Sequence, residues 1–312
     1  MKLLSYFFVL LALVGCGSKN NAKSDANEQL QLWVSIAPQA YLVLAIGGHL
    51  VNVDVLLPEG KDIHLYSPSP KQIMSLAKAD LYFTVGLPFE RSIQQKLSGQ
   101  SQLKLIDCTQ NVKRRFMKGS TFVCEHGHEH THNHAHGEQV NQHPDPHVWL
   151  GVEALKKMSE SIYLSLAQQM PQNENLLKQN YQALIHRLEK VDAELKSKLA
   201  PFKGKKFLVF HPAFGYFADN YDLEQMAVEV EGKSPSARQM TELIGVAKQE
   251  RIRVVFVQKQ FDRKSSQVVA QGIGGSVVPL DPLAGDVLSN LKAMGDELHK
   301  AFVLAAKVSD SE

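Results

Sequence analysis

Charge of one sign is scarcely in excess: 34 Lys+Arg stand against 32 Asp+Glu, a net +2 over 312 residues. No global field therefore draws the chain to nucleic acid. Long apolar runs are missing too. Only residues 3–16, fourteen in all, are almost wholly apolar. As a helix they would reach about 21 Å, short of a hydrocarbon core of roughly 30 Å. Cysteine is sparse, with three in the chain, and Cys108 and Cys124 form no recognised zinc pattern. No G-x-S-x-G elbow occurs, and the one H-E-x-x-H match, His128-Glu129-His130-Thr131-His132, falls inside a low-complexity histidine-rich tract with no apolar periodicity of a helix around it. Gly232-Lys233-Ser234 lacks the phosphate-loop glycine five positions earlier, where Ala227 stands. Gly272-Ile273-Gly274-Gly275 has Val277 at the third glycine of a dinucleotide fingerprint and precedes a strand pattern instead of following one. Nucleotide-binding and hydrolase chemistries therefore have little support.

The composition, 44% hydrophobic and 21% charged, is that of a globular protein, and the length suits two domains. Histidine is the anomaly: of 13, eight fall between His126 and His147. The N-terminus reads as a secretory signal over residues 1–16, with a basic start, an apolar stretch and small residues before a break. Leu13-Val14-Gly15-Cys16 resembles a bacterial lipobox, which implies cleavage before Cys16 and a lipid on its thiol; a plain signal with an incidental Cys is the alternative. Residues 17–29 are polar and read as a flexible tether. Export permits disulfides. Cys108 and Cys124 enclose fifteen residues, and closing such a loop is worth roughly 3 kcal/mol in the chain-entropy model. A disulfide is the expectation, with thiol metal ligation the alternative.

From residue 31, short β-rich runs at 32–36, 51–57, 80–85 and 103–107 alternate with helical patterns such as 39–46 and 70–77. The rhythm returns at 206–210, 226–230, 254–258 and 277–280, with a helix over 236–249. This predicts an α/β protein of two Rossmann-like lobes with parallel sheets, residues 30–170 and 202–312. Between Pro171 and Pro201, Leu177, Tyr181, Leu184, Leu188, Val191, Leu195 and Leu199 recur at intervals of 4, 3, 4, 3, 4 and 4. That spacing keeps one face of a helix, so 171–201 is expected to be a single stiff backbone helix packed along both lobes. It predicts restricted relative motion.

Four polar residues stand where strands or order end: His64 and His147 in the first lobe, His211 and Asp281 in the second. Ligands of open α/β sheets bind outside the carboxyl ends of strands, so one cleft between the lobes is expected to gather all four. Three imidazoles and a carboxylate suit tetrahedral Zn²⁺. Taken singly, each histidine also reads as a hydrogen-bonded residue, and Asp281-Pro282 as the start of a turn. Independently, His126, His128, His130, His132, His134 and His136 alternate within a loop over 124–143 that also carries His143 and has almost nothing apolar to pack. Its flexible imidazoles would bind metal more weakly per ion than a preformed cleft, because each set must be ordered. A pH-sensitive patch or simple low complexity are the alternatives.

Gly60–Pro70, Asp145–Leu150, the run Phe210-His211-Pro212-Ala213-Phe214-Gly215-Tyr216-Phe217, Glu229–Pro235 and Pro279–Gly285 follow the lipobox in order. Together they resemble the zinc-type, ZnuA-like solute-binding proteins of bacterial ABC importers, over residues 31–308. The resemblance implies two α/β lobes, a rigid linking helix and metal held between the lobes by His64, His147 and His211, with Asp281 a fourth ligand in many members. Manganese-type members carry a carboxylate where His211 stands, and imidazole is the softer donor. Ile63 departs from the proline that often precedes the first histidine, and Glu229 and Glu231 are further carboxylates to watch. The implied function is capture of Zn²⁺ outside the cytoplasmic membrane and delivery to an ABC permease, by a monomer tethered through its lipid, with no catalysis and no nucleic acid. A secreted zinc enzyme, a metal-dependent adhesin and a periplasmic zinc chaperone are the rival readings.

Overall fold

The computed structural model of the chain describes residues 29–97, 102–117, 144–229, 233–261 and 263–309. The first lobe runs β1 (Leu30–Val34), α1 (Ala37–Gly47), β2 (Val51–Val55), α2 (Pro70–Leu76), β3 (Leu81–Thr84), α3 (Pro88–Leu97), β4 (Lys104–Asp107) and α4 (Val152–Gln169). Then come α5 (Glu174–Leu199) and the second lobe: β5 (Lys206–Val209), α6 (Gly215–Asn220), β6 (Glu224–Ala227), α7 (Ala237–Gln249), β7 (Val254–Val257), α8 (Arg263–Gly272), β8 (Ser276–Pro279) and α9 (Val287–Ser309). The sheets are wholly parallel, with orders β2-β1-β3-β4 and β6-β5-β7-β8. The two lobes thus repeat one topology.

All eight expected strands form, and most end one to three residues before the apolar run does. The excess residues are the first of each loop, which packs apolar side chains after the ladder has stopped. Side-chain alternation explains how one sheet serves two cores. Phe207 and Val209 of β5, with Val254 and Phe256 of β7, join a core that continues through α5 into β1 and β3 of the first lobe. Leu208, Val255 and Val257 face the other way, against Leu243 and Ala247 of α7 and Val269 and Ala270 of α8.

The linking helix is shorter than expected. Pro171–Asn173 forms a separate 3-10 turn, and α5 starts at Glu174. It stops at Leu199, where Ala200–Phe202 tightens into another 3-10 turn around Pro201, which lacks the N–H to continue. Leu177, Leu184, Leu188, Val191, Leu195 and Leu199 are all buried, and α5 packs on α1 and α4 of the first lobe and on α9 of the second. Both lobes therefore share one apolar core through this helix. Among the described residues no helix is long and apolar enough to cross a membrane.

Cys108 is a free cysteine with no exposed surface, and burial pushes its thiol pKa well up. It serves there as a small apolar core residue. Cys16, Cys124 and the loop histidines His126, His128, His130, His132, His134, His136 and His143 lie outside the described residues.

Candidate metal centre

Each of the three histidines is placed by its own local device. His64 lies in the loop between β2 and α2, and its N–H donates to Asp62 Oδ1 at 2.8 Å. Ile63, 5% exposed, buries its side chain in the first lobe. Core packing there does what a proline's rigidity would do. The loop's return is held by Tyr66 Oη and Gln72 Nε2, which donate to Leu56 O at 2.6 and 2.9 Å. His147 precedes a buried 3-10 turn, Val148–Leu150, in which Trp149 Nε1 donates to Pro282 O of the second lobe at 2.7 Å. His211 lies just after β5, at the point where chain order reverses between β5 and β7. Gln258, just after β7, satisfies both of its backbone groups: His211 N–H donates to Oε1 at 3.3 Å, and Nε2 donates to His211 O at 2.7 Å.

The three imidazoles meet at one point. His211 Nε2 lies 3.2 Å from His64 Nε2 and 3.4 Å from His147 Nε2. A tetrahedral zinc with bonds of about 2.0–2.1 Å separates its nitrogen ligands by roughly 3.3–3.4 Å, so the spacing matches. The outward nitrogens explain the convergence. His147 Nδ1 donates to Asp145 Oδ1 at 2.8 Å, and His211 Nδ1 donates to Glu229 Oε1 at 2.7 Å. A proton held on Nδ1 leaves the Nε2 lone pair free, and both lone pairs point at the common centre. Lone pairs this close repel each other; a cation between them turns repulsion into coordination.

The surroundings are tight and largely buried. Asp145, His147, His211 and Glu229 are buried, and Phe261 stacks on His211 with centroids 5.0 Å apart. Beside the imidazoles, Asp62, Trp149, Gln260 and Pro282 line a cavity with about 20 Å³ for the centre of an ion or a water. Gln260 Oε1 is buried without a hydrogen-bond partner among the described residues, a free acceptor beside the centre. Burial, reinforced by the neighbouring His147 and His211, pushes the His64 pKa down to about 4, and burial lowers that of His147 as well. Burial alone would raise Asp145, but hydrogen bonds from His147 and Arg115 hold its carboxyl below the usual range.

Asp281, expected as a fourth donor, lies outside the cluster that the structure brings together. The cluster with metal-ligand spacing is His64, His147 and His211. The Asp281 carboxylate is spent locally, accepting Leu283 N–H on Oδ1 at 3.0 Å and pairing with Lys259 Nζ through Oδ2 at 3.2 Å. The turn reading of Asp281-Pro282 is the one realised. Asp281→Ala is accordingly expected to change zinc affinity by less than about tenfold, below the 10–100-fold typical of residues that orient ligands; chelator competition checks it. Glu229 is an orienting partner of His211, and Glu231 lies outside the described residues. The orienting role of Asp145 was legible only as part of Asp145-Pro146-His147. Arg115 and Gln258 left no sequence signal, since their partners are remote in the chain.

Two parallel lobes sharing a linking helix, with three imidazoles converging between them, define a two-lobed metal-binding protein of the solute-binding kind. The profile of the family described as zinc-uptake complex component A, periplasmic, matches residues 33–301, and the chain belongs to that family. It is 27% identical over 282 residues to the high-affinity zinc uptake system protein ZnuA of Bacillus subtilis (strain 168), covering 89% of this chain and 86% of that one. A crystal structure of ZnuA superposes with a TM-score of 0.77 at 37% identity, covering 88% of this chain and 99% of that one. A zinc-bound deletion variant of ZnuA gives the same TM-score and identity over 88% and 98%.

Proposed function

We propose that this protein captures Zn²⁺ outside the cytoplasmic membrane and delivers it to the permease of an ABC-type importer. The observation that carries the reading is the cluster of three imidazoles in which His211 Nε2 stands at tetrahedral spacing from the Nε2 atoms of His64 and His147, with His147 and His211 each backed by a buried carboxylate. The zinc-uptake relatives support it. Capture exchanges the ion's hydration shell for fixed imidazoles, so little protein ordering opposes binding. Two ligands come from the first lobe and one from the second. A small relative shift of the lobes, imposed by the permease, then breaks the set, while the shared core resists wide opening.

Around this centre, residues 1–16 act as a lipoprotein signal, Cys16 carries the lipid and residues 17–29 tether a monomeric two-lobed body. The body comprises lobes 30–170 and 202–312 joined by 171–201. The loop histidines, outside the described residues, gather zinc as extra, weaker sites. This role is binding and handover, with no turnover of the cargo.

Calorimetry on metal-depleted protein tests the reading, with one tight zinc equivalent expected at neutral pH. Further weak equivalents should vanish on deletion of residues 125–142 and the tight one should remain. Absence of a tight equivalent, or its loss with that deletion, would contradict the proposal.

The proton count sharpens the test. A ligating imidazole must be neutral, and three ordinary histidines at pH 5.5 would release close to three protons per zinc. With His64 held down at about 4, its imidazole is already neutral there, and His147 is lowered in the same direction by burial. Fewer than two protons per zinc are expected at pH 5.5, read from the buffer dependence of the heat; a release near three would contradict the packed-imidazole geometry. The same lowering acts on folding. Between about 6.5 and 4 the unfolded chain binds more protons than the native one, so the stability these groups contribute is present above 6.5 and lost as pH falls toward 4.

A further inference from the structure

We infer that Arg115 is a positioning residue of the metal centre: it clamps the carboxylate that orients His147 and ties that unit to the chain segment carrying His211. The inference rests on the zinc reading above and adds to it a residue that touches no metal ligand.

Arg115 and Asp145 are joined twice. Asp145 N–H donates to Arg115 O at 2.9 Å, and Arg115 Nη1 donates to Asp145 Oδ2 at 2.7 Å. Asp145 has no exposed surface, and its other oxygen, Oδ1, is occupied by the backbone N–H and Nδ1 of His147 at 3.0 and 2.8 Å. Without the guanidinium, Oδ2 would be a buried, charged acceptor lacking its donor, and the carboxylate would turn to find one. His147 would turn with it.

The other side of the guanidinium belongs to the second lobe. Arg115 Nε donates to Asp219 Oδ2 at 3.0 Å, and Arg115 N–H donates to Tyr216 Oη at 3.1 Å. Tyr216 Oη in turn donates to Asp145 O at 3.4 Å. Gly215 completes the seat: a β-carbon there would fall on Arg115 Nη1, so glycine is what lets the side chain pass. Gly215, Tyr216 and Asp219 all lie on α6, which opens four residues after His211. One planar, two-edged side chain thus spans from the orienter of one zinc ligand to the helix that follows another. The 3.4 Å spacing between His147 and His211 is held through it.

The test compares full-length wild-type protein with Arg115→Met, Arg115→Lys and Gly215→Ala. Zinc affinity is measured by chelator competition, and the Nδ1–H of zinc-loaded His147 is followed by ¹H–¹⁵N NMR. Arg115→Met should weaken zinc binding by about 10–100-fold, the range for residues that orient ligands, and shift or broaden the His147 Nδ1–H signal. Gly215→Ala should reproduce both effects by expelling the side chain, although it removes no charge. Arg115→Lys, a point charge without the fork, should recover only part of the affinity. Affinity within twofold of wild type in Arg115→Met, with an unchanged Nδ1–H signal, would overturn the inference. Should that variant not fold, Gly215→Ala with both readouts unchanged would overturn it equally. A wild-type protein that fails to bind zinc tightly would instead refute the function on which this rests.

Discussion

His211→Ala is expected to weaken zinc binding by about 10²–10³-fold, a figure that shares the roughly 10–16 kcal/mol of a structural zinc site among four ligand positions at 1.4 kcal/mol per decade. His211 is the histidine to remove because its Nε2 lies within 3.4 Å of both others, and because it is the second lobe's imidazole in the cluster. Its loss leaves Glu229 buried without its Nδ1–H donor, so the site loses an orienting contact along with a ligand. Competition against a chelator of known affinity measures the effect. A loss below tenfold would mean that the ion sits elsewhere.

Leu188→Ala is expected to destabilise the protein by about 2–5 kcal/mol and lower the melting temperature by roughly 5–15 °C. Leu188 has no exposed surface and sits on the buried face of α5, which packs against helices of both lobes. Alanine is a better helix former than leucine, so the loss reports the missing apolar burial and the cavity, with no penalty from helix propensity. Because one apolar core runs from β1 through α5 to β5 and β7, calorimetric unfolding should remain a single transition. Two separated transitions, or a loss below about 1 kcal/mol, the size of an Ile→Val change, would show that the lobes do not share a core.

Much of the fold is written in local pattern. Parallel strands buried on both faces must be apolar runs, which is why β3 (Leu81–Thr84) and β7 (Val254–Val257) stand out in the linear chain. The seven apolar positions of the linking helix encode its face directly, and only the 3-10 turns at its ends escaped, being set by Pro171 and Pro201. His64 and His211 were legible because each stands in a loop that follows a strand, and His147 because it stands where the histidine-rich stretch ends. Asp281 occupied an equally suggestive position, yet its oxygens are taken by Leu283 N–H and Lys259, a choice the linear sequence does not display. Arg115 was invisible for the same reason, its partners Asp145 and Asp219 lying 30 and 104 residues away. An isolated histidine titrates at about 6.5. Packing three imidazoles together in a buried cleft moves His64 down to about 4, an effect of burial and proximity that arises only in three dimensions.

The most direct measurement is a crystal structure of the zinc-loaded protein with anomalous data collected on both sides of the zinc absorption edge. A single strong anomalous peak bonded to the Nε2 atoms of His64, His147 and His211 at about 2.0–2.1 Å, with Asp281 still paired to Lys259, is the predicted result. A peak outside that triangle, or one from which His211 is absent, would contradict the account.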